Sequence, residues 1–147
     1  RQILNQAIDN FEFKSYETSL DVKDFDISFV KGLSFEDGCA TLTKFTAYLI
    51  ADGLRKIDKQ NNINPHHYII CGGGRKNKSL MQSIENYLVN KNIIIKDIDD
   101  YNFDGNFIES QAFAYLAIRS YLKLPISFPS TTRCKKAISG GDILQNF

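Results

Sequence analysis

Three consecutive glycines, Gly72, Gly73 and Gly74, stand between a β-like run at residues 67–71 and a helix-like segment that Asn77 or Ser79 can cap. Glycine lets the backbone approach a ligand closely, and the amino end of a helix favours phosphate. A turn alone needs only one or two glycines. The pattern therefore predicts an α/β unit whose loop binds a phosphate group. The alternative is a tight strand-to-helix connection that binds nothing.

The rest of the chain supports an α/β assignment. A second strand is predicted at residues 93–95, so the two strands would form a parallel pair joined by a helical crossover. Further helices are predicted at residues 2–11, 34–59 and 108–121. The helix at 34–59 opens on Ser34 and Asp37, which resemble a capping box, and carries an apolar stripe with interspersed small residues that favour close packing. Its stripe comprises Leu42, Phe45, Leu49, Ile50, Leu54 and Ile57.

Three segments are predicted to be irregular. Residues 12–31 carry four aromatic side chains expected to pack the segment down, namely Phe13, Tyr16, Phe25 and Phe29. Residues 97–106 and 125–147 are rich in polar residues, proline or glycine. We therefore expect a single domain over residues 1–147, with a short sheet and flanking helices.

Composition excludes several classes of function. Eighteen basic and 17 acidic residues give a net charge of +1, so nucleic acid is not an expected partner. No apolar run approaches the length of about 20 residues that spans a bilayer, so no membrane association is expected. Cys39, Cys71 and Cys134 are widely spaced and odd in number, which favours reduced thiols. No metal-ligand spacing is present.

Other candidate groups have plain structural explanations. Glu109, near the start of the helix at 108–121, can complement the helix dipole or bind a sugar hydroxyl or amide. His66 and His67 would face opposite sides of a strand and cannot share an ion. The acidic residues of the 97–106 segment lack the EF-hand pattern, so a solvated loop is expected. They are Asp97, Asp99, Asp100 and Asp104. The Walker A and GxGxxG motifs are absent.

Four segments in order resemble motifs of one family. Residues 32–43 resemble GLS-x-ED-x-x-ATLT, and residues 71–81 resemble CGGG-x-x-N-x-x-LM. Residues 109–117 are similar to EA-x-AFA-x-LA, and residues 124–132 to a P-x-N-x-P-x-x-T tail. The chain thereby resembles the anhydro-N-acetylmuramic acid kinase family over nearly its whole length.

The resemblance implies the second lobe of a sugar kinase, actin and chaperone superfamily fold, which is ribonuclease H-like and closes on ATP. Family enzymes use ATP and Mg²⁺ to open 1,6-anhydro-N-acetylmuramic acid with water. They phosphorylate O6, giving N-acetylmuramic acid 6-phosphate for peptidoglycan recycling. The resemblance also implies a cytoplasmic bacterial protein and a possible homodimer. Gly72, Gly73, Gly74 and Asn77 would contact nucleotide, and Glu109 would lie near the sugar.

The chain also departs from the family pattern. The family's GTS-x-DG-x-D phosphate loop and its base aspartate are not in these residues, and Arg1 stands in a helix-like segment. We therefore expect a C-terminal lobe without catalytic residues of its own, the N-terminal lobe lying outside the chain. Residues 18–23 replace a KSTGRE segment, Ser110 replaces alanine, and Arg133-Cys134 replaces Gly-Ala. The alternatives are an inactive remnant of that kinase and a superfamily kinase for another sugar.

Overall fold

A computed structural model describes residues 2–11, 22–61, 66–89, 93–142 and 144, with side chains omitted at 59–61. A helix connects the two strands in sequence, and further helices precede and follow them, as in an α/β domain. Their order is α1 (Gln2–Asn10), α2 (Phe35–Asn61), β1 (His66–Ile70), α3 (Lys78–Leu88), β2 (Ile93–Asp97), α4 (Ile108–Tyr121) and α5 (Pro129–Thr132).

The two strands form a parallel pair, as predicted. His66 lies opposite Ile93 at one end, and Ile70 lies opposite Asp97 at the other. The α3 helix makes the crossover between them. β1 begins and ends one residue earlier than predicted, since the chain turns away at Gly72, where φ is 83°. β2 extends two residues beyond the prediction because its pairing with β1 continues to Asp97.

The main core lies between α2, α3 and the sheet. Ala47 and Ala51 of α2 are fully buried against Ile84 of α3, which is also 0% exposed, together with Leu88 and Ile93. Small side chains let the two helix backbones approach closely, so the prediction of close packing along α2 is confirmed. The predicted apolar stripe was wrong at Ile50 and Ile57, which are exposed. The reason is that α3 packs on the alanine side of α2.

A second apolar cluster joins α1 to α2. Its buried residues are Leu4, Ala7 and Phe45. Phe29 packs edge-on against Phe45, with 5.0 Å between ring centroids, and Phe25 stacks on Phe11 at 5.7 Å. The prediction that Phe25 and Phe29 pack this segment down is confirmed. Phe13 and Tyr16, for which the same packing was predicted, lie outside the described residues. Short 3₁₀ turns at Val22–Asp24 and Ser28–Val30 add local order to this predicted irregular segment.

The start of α2 matches its sequence signature. The Asp37 N–H donates to Ser34 Oγ over 3.1 Å, and the Ser34 hydroxyl donates to the Asp37 carboxylate over 2.9 Å. The serine thus satisfies one of the amide groups that every helix leaves unpaired in its first turn. The predicted beginning of the helix is confirmed.

The α4 helix has the bounds predicted for it but no buried residue. Phe113, Ile118 and Tyr121 are between 59% and 69% exposed. Residues 112–118 of α4 are all apolar or aromatic, and a helical segment of this kind is ordinarily covered by other elements. The described residues therefore leave an exposed apolar helix on this chain.

The carboxyl-terminal segment contains a short helix, α5, where an irregular tail was predicted. Pro129 occupies the first turn, where its missing N–H costs nothing, and the Phe128 N–H donates to Thr131 Oγ over 3.3 Å. All three cysteines are free thiols. Among the residues that the structure describes, no helix is long and apolar enough to cross a membrane.

Candidate functional site

The loop between β1 and α3 carries the predicted glycines. Gly72 has φ 83° and ψ 174°, a conformation that is essentially restricted to glycine. Gly73 begins a 3₁₀ turn, Gly73–Lys76, that leads to α3. A Cβ atom added to Gly73 would meet no heavy atom within 4 Å, and one on Gly74 would meet only Leu80 at 3.7 Å. Gly72 is thus needed for the turn, whereas Gly73 borders open space in which a ligand can lie.

Asn77 joins the loop to α3 as its N-cap, and Ser79, the other predicted cap, lies within the helix. The Leu80 N–H donates to the Asn77 side-chain oxygen over 3.1 Å, and the Asn77 N–H donates to the Gly74 carbonyl over 3.0 Å. The cap uses the amide oxygen, and the amide nitrogen is a donor. The local structure therefore holds Asn77 directly beside the glycine loop.

An open groove of about 730 Å³ adjoins this corner of the molecule, between the amino-terminal halves of α2 and α3. Two of its lining residues, Lys44 and Lys78, are cationic. The others are polar or small, namely Cys39, Ala40, Thr43, Asn77, Ser79, Gln82 and Ser83. Lysine ammonium groups and helix amino ends both attract phosphate. The groove can therefore accept an anionic ligand that extends from the loop.

A buried arginine follows the glycines directly. The Arg75 side chain is 3% exposed, and its guanidinium donates to the Gly72 carbonyl, to Asp97 and to Asp99. The hydrogen bonds to Asp99 raise the pKa of Arg75 above its ordinary value. The pKa of Asp99 is lowered, first because the Gly105 N–H donates to its carboxylate and then because Arg75 does.

This arginine corrects the prediction that the acidic loop is simply solvated. Asp97 and Asp99 remain partly exposed, but both pair with Arg75 across 22 and 24 residues of sequence. One signal pointed to the pairing. Gly72 directly follows the strand predicted at 67–71, and Asp97 lies two residues beyond the strand predicted at 93–95; parallel strands place their carboxyl ends at one edge.

Glu109 lies in the first turn of α4 and is exposed. That position agrees with a carboxylate that complements the helix dipole. Glu109 is connected to the glycine loop only indirectly. Gly105, four residues before Glu109, contacts both Arg75 and Asp99. Contact of Glu109 with a sugar stays a prediction.

The histidines lie away from the glycine loop, at the start of β1. His66 is partly buried and its Nδ1 pairs with Asp58, while His67 is exposed. The expectation that they face opposite sides is therefore confirmed, and the pairing with Asp58 was not foreseen. Within the described ranges, no group of three His, Cys, Asp or Glu side chains could hold a metal ion.

Comparison with known proteins assigns a family to this arrangement. Residues 9–146 match the sequence profile described as anhydro-N-acetylmuramic acid kinase. The protein of that name from Pelagibacter ubique is 56% identical over 147 residues, which are 99% of this chain and 39% of that protein. Its namesake in Zymomonas mobilis is 40% identical over 125 residues, covering 85% of this chain and 32% of that protein. The Brucella canis relative is 36% identical over 142 residues, covering 96% of this chain and 37% of that protein. The chain thus spans about two fifths or less of each relative.

Proposed function

The chain belongs to the anhydro-N-acetylmuramic acid kinase family, and from that premise we propose that it supplies the nucleotide-side lobe of an ATP-dependent sugar kinase. The observation that carries the proposal is the exposed glycine loop beside a groove lined by two lysines. The ribonuclease H-like superfamily fold is part of the proposal. The parallel strand pair with flanking helices supports it.

The loop would hold the phosphates of the nucleotide. Gly73 borders open space, so phosphate oxygens can reach backbone N–H groups without meeting a side chain. Asn77 would add a side-chain amide donor at the same corner. Residues of this kind fit a nucleotide, since they offer neutral donors in the loop and cationic groups in the groove.

The groove would hold the rest of the nucleotide. Lys44 lies on α2 and Lys78 on α3, so the two cations flank the groove from opposite walls. Ligand sites of this type combine a concave surface with a few well-placed polar groups. We place the phosphates between the Gly73 backbone and these two lysines, and the nucleoside further along the groove between α2 and α3.

The proposed reaction of the complete protein is the one named by the family. ATP, bound with Mg²⁺, supplies the phosphoryl group; water opens 1,6-anhydro-N-acetylmuramic acid and O6 receives the phosphate. Phosphoryl transfer depends mainly on positioning and on electrostatic stabilisation. This chain would contribute nucleotide positioning through Gly72, Gly73, Gly74 and Asn77, and a sugar contact through Glu109. We assign no metal ligand to it.

Titration calorimetry with the non-hydrolysable ATP analogue AMP-PNP tests the nucleotide site directly. We expect the chain to bind the analogue, and Lys44→Ala to weaken binding because it removes a cation from the groove. Lys56→Ala is the matched control, since Lys56 lies on the same helix 12 residues further on, about 18 Å away. Absence of binding by the wild-type chain at millimolar analogue would show the proposal to be wrong.

A further inference from the structure

Arg75 is a buried charged side chain at the site, and it satisfies its donors with three partners. Nη1 donates to the Gly72 carbonyl over 3.0 Å, and Nε donates to Asp97 Oδ1 over 3.2 Å. Nη2 donates to both carboxylate oxygens of Asp99, over 2.9 and 3.2 Å. The planar guanidinium presents its donors in a fixed fork, so one side chain holds four acceptor atoms of three residues in a defined arrangement.

The partners of Arg75 belong to two different loops. Gly72 lies in the glycine loop, whereas Asp97 ends β2 and Asp99 lies in the 3₁₀ turn Ile98–Tyr101. Asp99 also accepts the Gly105 N–H over 2.7 Å. A Cβ atom on Gly105 would lie 2.6 Å from Arg75 Cζ, so the guanidinium fills the space between the loops.

The network lies at one edge of the sheet. Gly72 follows β1, Asp97 ends β2 and Asp99 lies in the turn that comes next. A buried ion pair is weak evidence for stability, because desolvation offsets much of the attraction, and fixing one arrangement is its better-attested use. The placement of the network at the carboxyl ends of both strands therefore points to a role in arranging the loops.

We infer that Arg75 is a positioning residue that holds the glycine loop and the 98–107 segment in one fixed arrangement. This inference rests on the proposed function, in which the glycine loop receives the nucleotide. The 98–107 segment leads directly into α4, so the same contacts set the start of that helix, and with it Glu109, relative to the nucleotide loop. Nothing in the reaction requires Arg75 to touch the ligand.

Amide hydrogen exchange in the ligand-free chain tests the positioning role. In Arg75→Lys the single ammonium cannot reach Gly72, Asp97 and Asp99 together. We expect the Gly105 amide, which donates to Asp99, and the Asn77 amide, which donates to the Gly74 carbonyl, to exchange about ten-fold faster, as for the loss of one charge-assisted hydrogen bond. The Ile84 amide in the core should exchange at the wild-type rate. A merely structural residue would speed exchange at Ile84 as well.

Arg55→Lys is the matched control. Arg55 also pairs with an aspartate, Asp52, and donates to a backbone carbonyl, that of Tyr87, but it lies away from both loops. This variant should leave exchange at Asn77 and Gly105 unchanged. The inference is overturned if Arg75→Lys leaves both loops at wild-type rates, or if it accelerates Ile84 equally.

Titration with AMP-PNP separates this inference from the proposed function. We expect affinity to fall about ten-fold in Arg75→Lys and to stay unchanged in Arg55→Lys. If the wild-type chain binds no nucleotide, the proposed function is wrong, and the exchange rates alone decide whether Arg75 holds the loops together. If the chain binds and Arg75→Lys binds as tightly as wild type, the link between positioning and nucleotide binding is overturned.

Discussion

At the scale of single residues, substitutions at Gly73 and Gly72 should affect different properties, ligand affinity at Gly73 and stability of the fold at Gly72. Gly73→Val should weaken AMP-PNP binding by about ten-fold or more, through steric exclusion of the phosphates, with little change in melting temperature because the new Cβ meets open space. Gly72→Ala should instead destabilise the fold by about 1–3 kcal/mol, since φ is 83° there. Calorimetric titration and thermal melts distinguish the two. Unchanged affinity in a folded Gly73→Val variant would refute the loop assignment.

The lowered pKa of Asp99 predicts that the stability of the folded chain decreases in acid. Its pKa in the folded chain is lowered from the ordinary value of 3.8 by the hydrogen bonds from Gly105 and Arg75. A lowered pKa means that the contribution to stability is complete above pH 3.8 and is lost as pH falls through the folded-state pKa. The melting temperature of Asp99→Asn should therefore lie below that of wild type near neutral pH, and the gap should narrow below pH 3.8. A gap that widened on acidification would contradict this assignment.

At the scale of elements, α4 combines an exposed start at Glu109 with exposed apolar side chains along its length. Glu109→Gln distinguishes the two interpretations of the carboxylate. If it only complements the helix dipole, the chain should lose about 0.3–1 kcal/mol of unfolding free energy. Chemical denaturation of the chain measures that loss.

A test of the proposed sugar contact needs a complete enzyme, which a graft of this chain in place of the aligned segment of the Pelagibacter ubique relative provides. Glutamine replaces an acceptor oxygen with a donor, so a hydrogen bond from the sugar would be lost. We expect kcat/KM for the sugar to fall roughly ten- to hundred-fold, with the KM for ATP unchanged. Wild-type sugar kinetics with a lowered melting temperature would identify Glu109 as a helix-dipole residue only.

At the scale of the whole molecule, we expect this chain to bind nucleotide without turning it over. The 147 residues contain the glycine loop but no GTS-x-DG phosphate motif, and they span 39% of the Pelagibacter ubique relative. We expect the chain to bind AMP-PNP and to release no ADP from ATP in the presence of the sugar, because the family resemblance implies that the groups that position the attacking water lie outside these residues. A coupled ADP assay measures this. Sugar-dependent ADP release by the purified chain would contradict it, and the graft described above is the positive control.

The sequence by itself determined the local features. Interactions within a few residues determine β1, the turn at the glycine loop and the capped start of α3. They also determine the bounds of α4 and the start of α2 at Ser34. The family motifs likewise indicated the assignment that the comparisons confirm. Each of these features depends on periodicity, capping or backbone conformation, all of which act over short sequence distances.

Only the tertiary structure decided which side chains meet across the fold. The pairing of β1 with β2 brings Arg75 to Asp97 and Asp99, although 22 and 24 residues separate them in sequence. It also decided that α2 packs on α3 through Ala47 and Ala51, leaving Ile50 and Ile57 exposed. Periodicity places an apolar residue on a helix face, but burial depends on which element covers that face. For the same reason α4, whose residues 112–118 are all apolar or aromatic, has no buried residue among those described.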